Sequence, residues 1–231
     1  MYVVPSLLGV VPPAEVLPQR TIEVARRLSH FVVETPRIAR QFLRSLDAGR
    51  PLQSIAMAEL NEHTPPGRIP ELLAPALEGH DLGLLTDAGC PGIADPGAPL
   101  IAAAHRAGIR VVPLVGPCAV LLALMASGLD GQAFAFHGYL PPKPVPRADA
   151  LRALDRSAAG GVTQLFIETP YRNDAMIAAV LSACRPALSF CVAIDLTLPT
   201  EQVVCRSVAA WRSAPRVPVG KRPAIFLLGK G

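Results

Sequence analysis

Long apolar runs are missing from this sequence. Although 51% of its 231 residues are hydrophobic, none of the apolar stretches reaches the ~18 residues that a membrane-spanning helix requires. The opening MYVVPSLLGVVPP carries no basic segment and is broken by Pro5, Pro12 and Pro13. It therefore reads as a buried strand and loop and not as a signal peptide. Aromatic residues are scarce at 5%, and charged ones make up only 17%. The net charge of +4 is spread thinly, with no run of five like charges. Such a balance permits an anionic partner without demanding one. Cys90, Cys118, Cys184, Cys191 and Cys205 are dispersed, with no CxxC pair. An odd, scattered set fits reduced core thiols in a cytoplasmic protein better than a disulfide framework.

Phosphate-binding motifs are also missing. A dinucleotide-binding fold carries G-x-G-x-x-G after its first strand, and a nucleoside triphosphatase carries a Walker loop. The corresponding stretch here, VVPSLLGVVPP, has one glycine. A nucleotide-like ligand must therefore bind elsewhere. Glu59, Glu62 and His63 lie close together, but no second histidine stands at helical spacing, so no metal is expected.

What is present is an α/β pattern. Strand candidates at 2–4, 31–34 and 82–86 alternate with helical stretches at 18–29, 36–47 and 70–78. Proline in the first turn and glycine past the last mark several of these boundaries. This order implies a mainly parallel sheet with helices on it. The clearest unit runs from 82 to 114: an apolar strand, a loop, a helix at 99–107 stopped by Gly108, and a strand IRVVPL. Gly116 and Pro117 then open an apolar helix, CAVLLALMAS. The second half reads differently. HGYLPPKPVPR at 137–147 looks like an extended proline-rich connector. After it come helices at 148–157 and 171–183 and strands at 164–168, 188–194, 202–208 and 224–228. Adjacent strands joined by a single turn predict mixed pairing. The expected organisation is an N-terminal α/β domain, 1–114, and a C-terminal α/β domain with a mixed sheet, 115–231.

The loop TDAGCPGIADPG at 86–97 holds three glycines and two prolines in twelve residues, at the carboxyl end of a buried strand. Open α/β sheets bind ligands at that end. Glycine allows positive φ and close backbone approach, and proline stiffens the arrangement. Asp87 and Asp95 are expected to hydrogen-bond to the loop backbone. Glu168, after three apolar strand residues, points its carboxylate at a sheet edge or a cleft. Arg172 reads equally as a phosphate clamp or as a helix-surface charge. Lys143 and Arg147 read as linker charges or as contacts to a polyanion.

TDAGCPGIADPG closely resembles the S/T-D-A-G-x-P-x-I-x-D-P-G signature of the ribosomal RNA small-subunit methyltransferase I family, a branch of the tetrapyrrole methylase superfamily. AGIRVVPLVGPCAVLLALMASGL at 107–129, GYLPPK at 138–143, LFIETPYR at 165–172, LNEH at 60–63 and IDLTLPTEQVV at 194–204 resemble further elements of that family, in the same order. The resemblance implies a homodimer, each chain having two domains with S-adenosylmethionine in the cleft between them. Carried over by position, the cofactor would be held by Leu8, Gly9, Ala88, Gly89, Cys90, Ile93, Cys118, Ala119, Ile167, Ala193, Pro223 and Ala224. Lys143, Arg147 and Arg172 would bind substrate, and Glu62 and Glu168 are the candidate catalytic bases, on the expectation that a carboxylate beside a closed cleft has a raised pKa.

The implied reaction is ribose 2'-O-methylation of ribosomal RNA. A small acceptor such as a tetrapyrrole, or a non-catalytic cofactor-binding relative, are the alternatives. The sequence departs from the family in places. The first loop is Ser6-Leu7-Leu8-Gly9-Val10, where the family has T-P-I-G-N, and Glu34-Thr35-Pro36-Arg37 stands for E-D-T-R. Ile194 and Leu198 replace an arginine and a lysine. Arg222-Pro223-Ala224 replaces K-G-E and in its P-A pair resembles the tetrapyrrole-modifying branch.

Overall fold

The alternating first half folds as a five-stranded, wholly parallel sheet in the order β3-β2-β4-β1-β5. A computed structural model describes residues 1–47, 49–215 and 217–230. They form two compact units, Met1–Cys118 and Ala119–Gly231.

In the first unit the chain runs β1 (Tyr2–Val4), α1 (Pro13–Val16), α2 (Gln19–Arg27), β2 (His30–Val33), α3 (Pro36–Ser45), β3 (Ala56–Glu59), α4 (Ala74–Leu77), β4 (Leu82–Leu85), α5 (Ala98–Arg106) and β5 (Val112–Pro113). Alternation along β2 sends Phe31 and Val33 to a core shared with α2 and α3, and Val32 to a second core shared with α5. Every residue of β4 is buried, as an apolar run covered on both sheet faces should be. Its Gly83 is needed for packing, since a Cβ there would lie 2.6 Å from the Phe31 ring. The stretch expected as one helix at 70–78 is a 3-10 turn (Pro70–Leu73) followed by the single turn of α4. Strand β3 was not foreseen. It is short, at the sheet edge, and without strong β-formers in its sequence AMAE.

The second unit runs α6 (Ala119–Ser127), β6 (Phe134–Tyr139), α7 (Pro144–Ala159), β7 (Thr163–Ile167), α8 (Asn173–Ala183), β8 (Ser189–Ile194), β9 (Gln202–Ser207), α9 (Val208–Ser213) and β10 (Ala224–Gly229). Its sheet, β6-β7-β10-β8-β9, is mixed: β6 and β7 are parallel and the other pairs antiparallel. Phe166, Phe190 and Phe226 stack across it, with ring centroids 5.6 and 6.2 Å apart, in a core that includes Trp211 and side chains of α7 and α8.

The proline-rich 137–147 segment is not an extended connector. It ends β6, and at Pro144 it becomes α7, because Pro144 and Pro146 fall in the first helical turn, where a missing N–H costs no hydrogen bond. The strand expected to 208 stops at Ser207, whose side chain accepts from the Ala210 N–H and starts α9. Among the described residues no helix is long and apolar enough to cross a membrane.

Candidate cofactor and active site

Because all five strands of the first sheet run the same way, the loops after β1, β2, β3, β4 and β5 share one edge. From β1 the chain crosses to β2 on one side of the pair β4/β1, and from β4 it crosses to β5 on the other. The switch point lies between β1 and β4, where such sheets open a ligand crevice. There the two loops are tied directly, the Ser6 N–H donating to the Gly89 carbonyl at 2.8 Å.

The 86–97 loop is held by its neighbours and by itself. Glu34, after β2, accepts from Thr86 Oγ1 at 2.8 Å and from the Asp87 N–H at 3.2 Å. Asp87 in turn accepts from the Thr35 N–H at 3.1 Å and Thr35 Oγ1 at 2.8 Å. Burial pushes the Asp87 carboxyl above its ordinary pKa, against the pull of the Thr35 hydrogen bonds, with the nearby Glu34 charge adding to the rise. Thr35, at the position where the family carries an acidic residue, thus donates to a carboxylate. Asp95 turns inward and accepts from the Gly92 and Gly97 N–H groups at 2.8 and 2.6 Å. The backbone-bonding expectation therefore describes Asp95, whereas Asp87 bonds across to the β2 loop.

Three loops meet at Gly89 and Cys90. Gly89 has φ +76°, and a Cβ on it would lie 3.2 Å from Leu8 Cδ2 and 3.5 Å from the Pro117 carbonyl. The Cys90 thiol donates to that carbonyl at 3.4 Å. Its hydrogen bond with Cys118, reinforced by burial, raises its pKa strongly, so Cys90 is a neutral thiol and not a nucleophile. Gly116 is sterically the tighter of the two, since a Cβ there would fall 2.3 Å from Pro5 Cγ. Beside this junction a cleft of about 220 Å³ is lined by Ser6–Val11, Asp87, Ala88 and the Ile38–Phe42 face of α3. Ala88 and Ile93 present exposed small or apolar surface. Ser6 Oγ is buried without a hydrogen-bond partner among the described residues. Glu62 and His63 follow β3 on the same edge, exposed and 3.5 Å apart. No group of three potential metal-ligating side chains occurs among the described residues.

In the second unit the register sets Ile167, Ile225 and Ala193 side by side across β7, β10 and β8. Ile225 was missed in the sequence, although period-two alternation aligns it with the other two. Ala224 points the other way, into the aromatic core, while Pro223 is exposed and its carbonyl accepts from the Asp195 N–H at 3.0 Å.

The Glu168 side chain is wholly buried, and its Oε1 accepts from Arg172 Nη2 at 2.5 Å and from the Thr169 N–H at 2.7 Å. Burial opposes its ionisation, but those hydrogen bonds and the guanidinium charge outweigh it, and its pKa lies below the ordinary value. The raised pKa expected of this carboxyl is thereby overturned. Arg172 is 41% exposed and committed to Glu168, so it is neither a free clamp nor a plain surface charge. Lys143 is exposed at the start of α7, whereas Arg147, one turn in, is largely buried.

Comparison with known proteins agrees with this architecture. No family model matches the chain. It is 34% identical over 215 residues to the ribosomal RNA small subunit methyltransferase I of Xylella fastidiosa, covering 92% of this chain and 75% of that protein. The chain belongs to the ribosomal RNA small subunit methyltransferase I family. The Vibrio cholerae member is 31% identical over 88% of this chain and 67% of its own. The Escherichia coli O157:H7 member is 35% identical over 74% of this chain, which matches only 56% of that relative's length. Solved structures share the family's fold at low identity. Cobalt precorrin-4 methyltransferase CbiF superposes with a TM-score of 0.63 at 15% identity, covering 99% of this chain and 93% of that one. Uroporphyrin-III C-methyltransferase from Thermus thermophilus, complexed with S-adenyl homocysteine, gives 0.59 at 17%, covering 99% and 96%.

Proposed function

We propose that this chain is an S-adenosylmethionine-dependent methyltransferase that methylates a ribose 2'-oxygen of ribosomal RNA. The observation that carries the reading is the β1/β4 switch point, where Leu8 and Pro117 from two further loops pack closely around Gly89, whose φ of +76° disfavours any side chain. The residues fit the cofactor. Gly89 and Ala88 offer close backbone approach, Ile93 an apolar face for a base, and Ser6 Oγ an unused polar group. Family membership supports the same cofactor. When bound, S-adenosylmethionine supplies an electrophilic methyl group on its sulfonium.

The chain's own part is to position an acceptor in line and to take its proton. Glu168, ionised and paired through Oε1 with Arg172, is a weak base, and its role is to hold that guanidinium. Glu62, exposed on the carboxyl edge of the first sheet, remains the candidate base. Ile167 and Ala193, with Ile225 between them, Cys118, Ala119 and the Pro223–Ala224 backbone belong to the proposed cofactor surface by position. Lys143, with lesser contributions from Arg147 and Arg172, would meet RNA phosphates. The enzyme would work as a cytoplasmic homodimer.

Titration calorimetry of the purified chain with S-adenosylmethionine tests the first step, with a micromolar dissociation constant expected, about −8 kcal/mol. No heat and no thermal shift at millimolar ligand would refute it. For the acceptor, binding to small-subunit ribosomal RNA should weaken steeply with salt as phosphate contacts are screened. A salt-independent interaction would transfer the reading to a small acceptor, which the Pro223-Ala224 pair favours.

A further inference from the structure

Two cysteines that the methyl-transfer reading does not use face each other across the edge of the second sheet. In the antiparallel β8/β9 pair, Cys191 stands directly opposite Cys205. The Val208 N–H donates to the Leu188 carbonyl at 2.8 Å just beyond this ladder. Antiparallel ladders alternate between hydrogen-bonded and non-hydrogen-bonded pairs. Counting inward from Leu188 and Val208 in the same register, Cys191 and Cys205 form a non-hydrogen-bonded pair. Such pairs bring Cα atoms to about 4.5 Å, at the near end of the roughly 4.4–6.8 Å that a disulfide spans. Cys191 is fully buried and Cys205 exposed, so an oxidant in solution meets Cys205 first. Strand β9 lies at the edge of the sheet among the described residues, and can make the small adjustment that a covalent link requires. The alternation along β8 sends Phe190, Val192 and Ile194 into the aromatic core and leaves Cys191 on the opposite face, so a link there does not disturb that core.

We propose that Cys191 and Cys205 are a reversible thiol–disulfide site, closed by hydrogen peroxide and reopened by a dithiol. The thiolate of Cys205 attacks one peroxide oxygen, the O–O bond breaks, and the released hydroxide takes up a proton to leave as water. The resulting sulfenic acid is attacked at sulfur by Cys191. The S–S bond forms, the S–O bond breaks, and the Cys191 proton leaves with the hydroxyl as a second water. Two thiols are oxidised by two electrons and one peroxide is reduced. The division of labour suits the two environments. The hydrogen bond with Cys191 lowers the Cys205 pKa to about 7 against the effect of burial, whereas the same contact and burial push that of Cys191 strongly up. A thiolate available near neutral pH is the reactive form. The exposure of Cys205 leaves its sulfur accessible to a dithiol once the bond is closed.

The test treats the full chain, folded and reduced, with hydrogen peroxide, alkylates the remaining thiols and maps the peptides by mass spectrometry. The expected result is a disulfide-linked species joining the Cys191 and Cys205 peptides. The two residues should lose alkylation in step, one for one, and regain it after dithiothreitol. Cys184, buried and with its pKa pushed up to about 12, should remain reduced throughout. In Cys191→Ala the sulfenic acid on Cys205 should persist and be trapped by dimedone several-fold more than in the unaltered chain. If that variant does not fold, the map of the unaltered chain decides alone. Cys205 accumulating as sulfinic acid, or linking two chains, while Cys191 stays alkylatable would overturn the proposal. So would oxidation of Cys184 at the same rate as Cys205.

Discussion

Gly89 combines the two properties that make a single residue decisive: a left-handed backbone and close neighbours in the Leu8 side chain and the Pro117 carbonyl. A β-branched replacement adds strain of about 1–3 kcal/mol and fills the space between the β1 and β4 loops. Gly89→Val should therefore weaken S-adenosylmethionine binding at least tenfold, about 1.4 kcal/mol or more, in calorimetry. Cys90→Ser, which replaces a neutral thiol, should leave binding nearly unchanged, and its loss would contradict a backbone-built cradle. Glu168 tests electrostatics in the same way. Its folded-state pKa is depressed, so its stabilisation is complete above the usual carboxylate range and fades as pH falls through the folded value. Arg172→Met removes the partner and leaves burial in control, which raises the carboxyl's pKa and penalises the fold as pH rises. The variant should be less stable than the unaltered chain near pH ~7, with the loss tempered by solvent screening of the exposed Arg172. Urea titrations should show that difference shrinking toward pH ~4, and a pH-independent difference would contradict the assigned pair.

At the scale of elements, α9 is a short helix with one job. Ser207 caps it, and Trp211 then donates its indole N–H to the Phe190 carbonyl at 2.7 Å and packs on the Phe190 ring. Ser207→Ala should cost about 1 kcal/mol, seen as a few degrees in melting temperature. No change would mean that Trp211 alone holds the helix. This is also where sequence patterning ran out. The buried strands β1, β4, β8 and β10 were legible because apolar runs between prolines and glycines admit few alternatives. The short elements β3 and α9 were not, although the edge strands β5 and β9 were. AMAE in β3 and VAAWRS in α9 carry no periodicity of their own and form only because a neighbouring strand or a capping hydroxyl receives them. The prolines of 144–146 misled in the opposite direction, since the same residues that stiffen a linker also begin a helix. At the site, the 86–97 loop was legible from its glycine and proline content. Its anchoring by Glu34 and Thr35 was not, because those bonds cross 52 or 53 positions of sequence.

Assembly belongs to the molecule as a whole. A mean hydropathy of +0.37 is high for a chain of this length and composition. Part of the cause is visible on α6, AVLLALMAS, which is apolar on every face. Val120, Ala123, Leu124 and Ser127 are buried, and the helix packs on β8, β9 and β10. Its other side is left open, with Leu121 at 46% and Met125 at 80% exposure. A helix apolar all round is normally covered all round, and exposed apolar patches on soluble proteins mark interaction surfaces. A second copy of the chain is the commonest cover, since a two-fold pair is the simplest closed assembly. Light scattering at micromolar concentration should therefore give about twice the 24.3 kDa of one chain. Met125→Asp, which places a charge on the open side of α6 and leaves its packed side untouched, should return the mass toward that of one chain without lowering the melting temperature of the monomer. A single-chain mass for the unaltered protein would rule out the dimer. A dimer that survives Met125→Asp would place the seam on another face, away from the α6 patch.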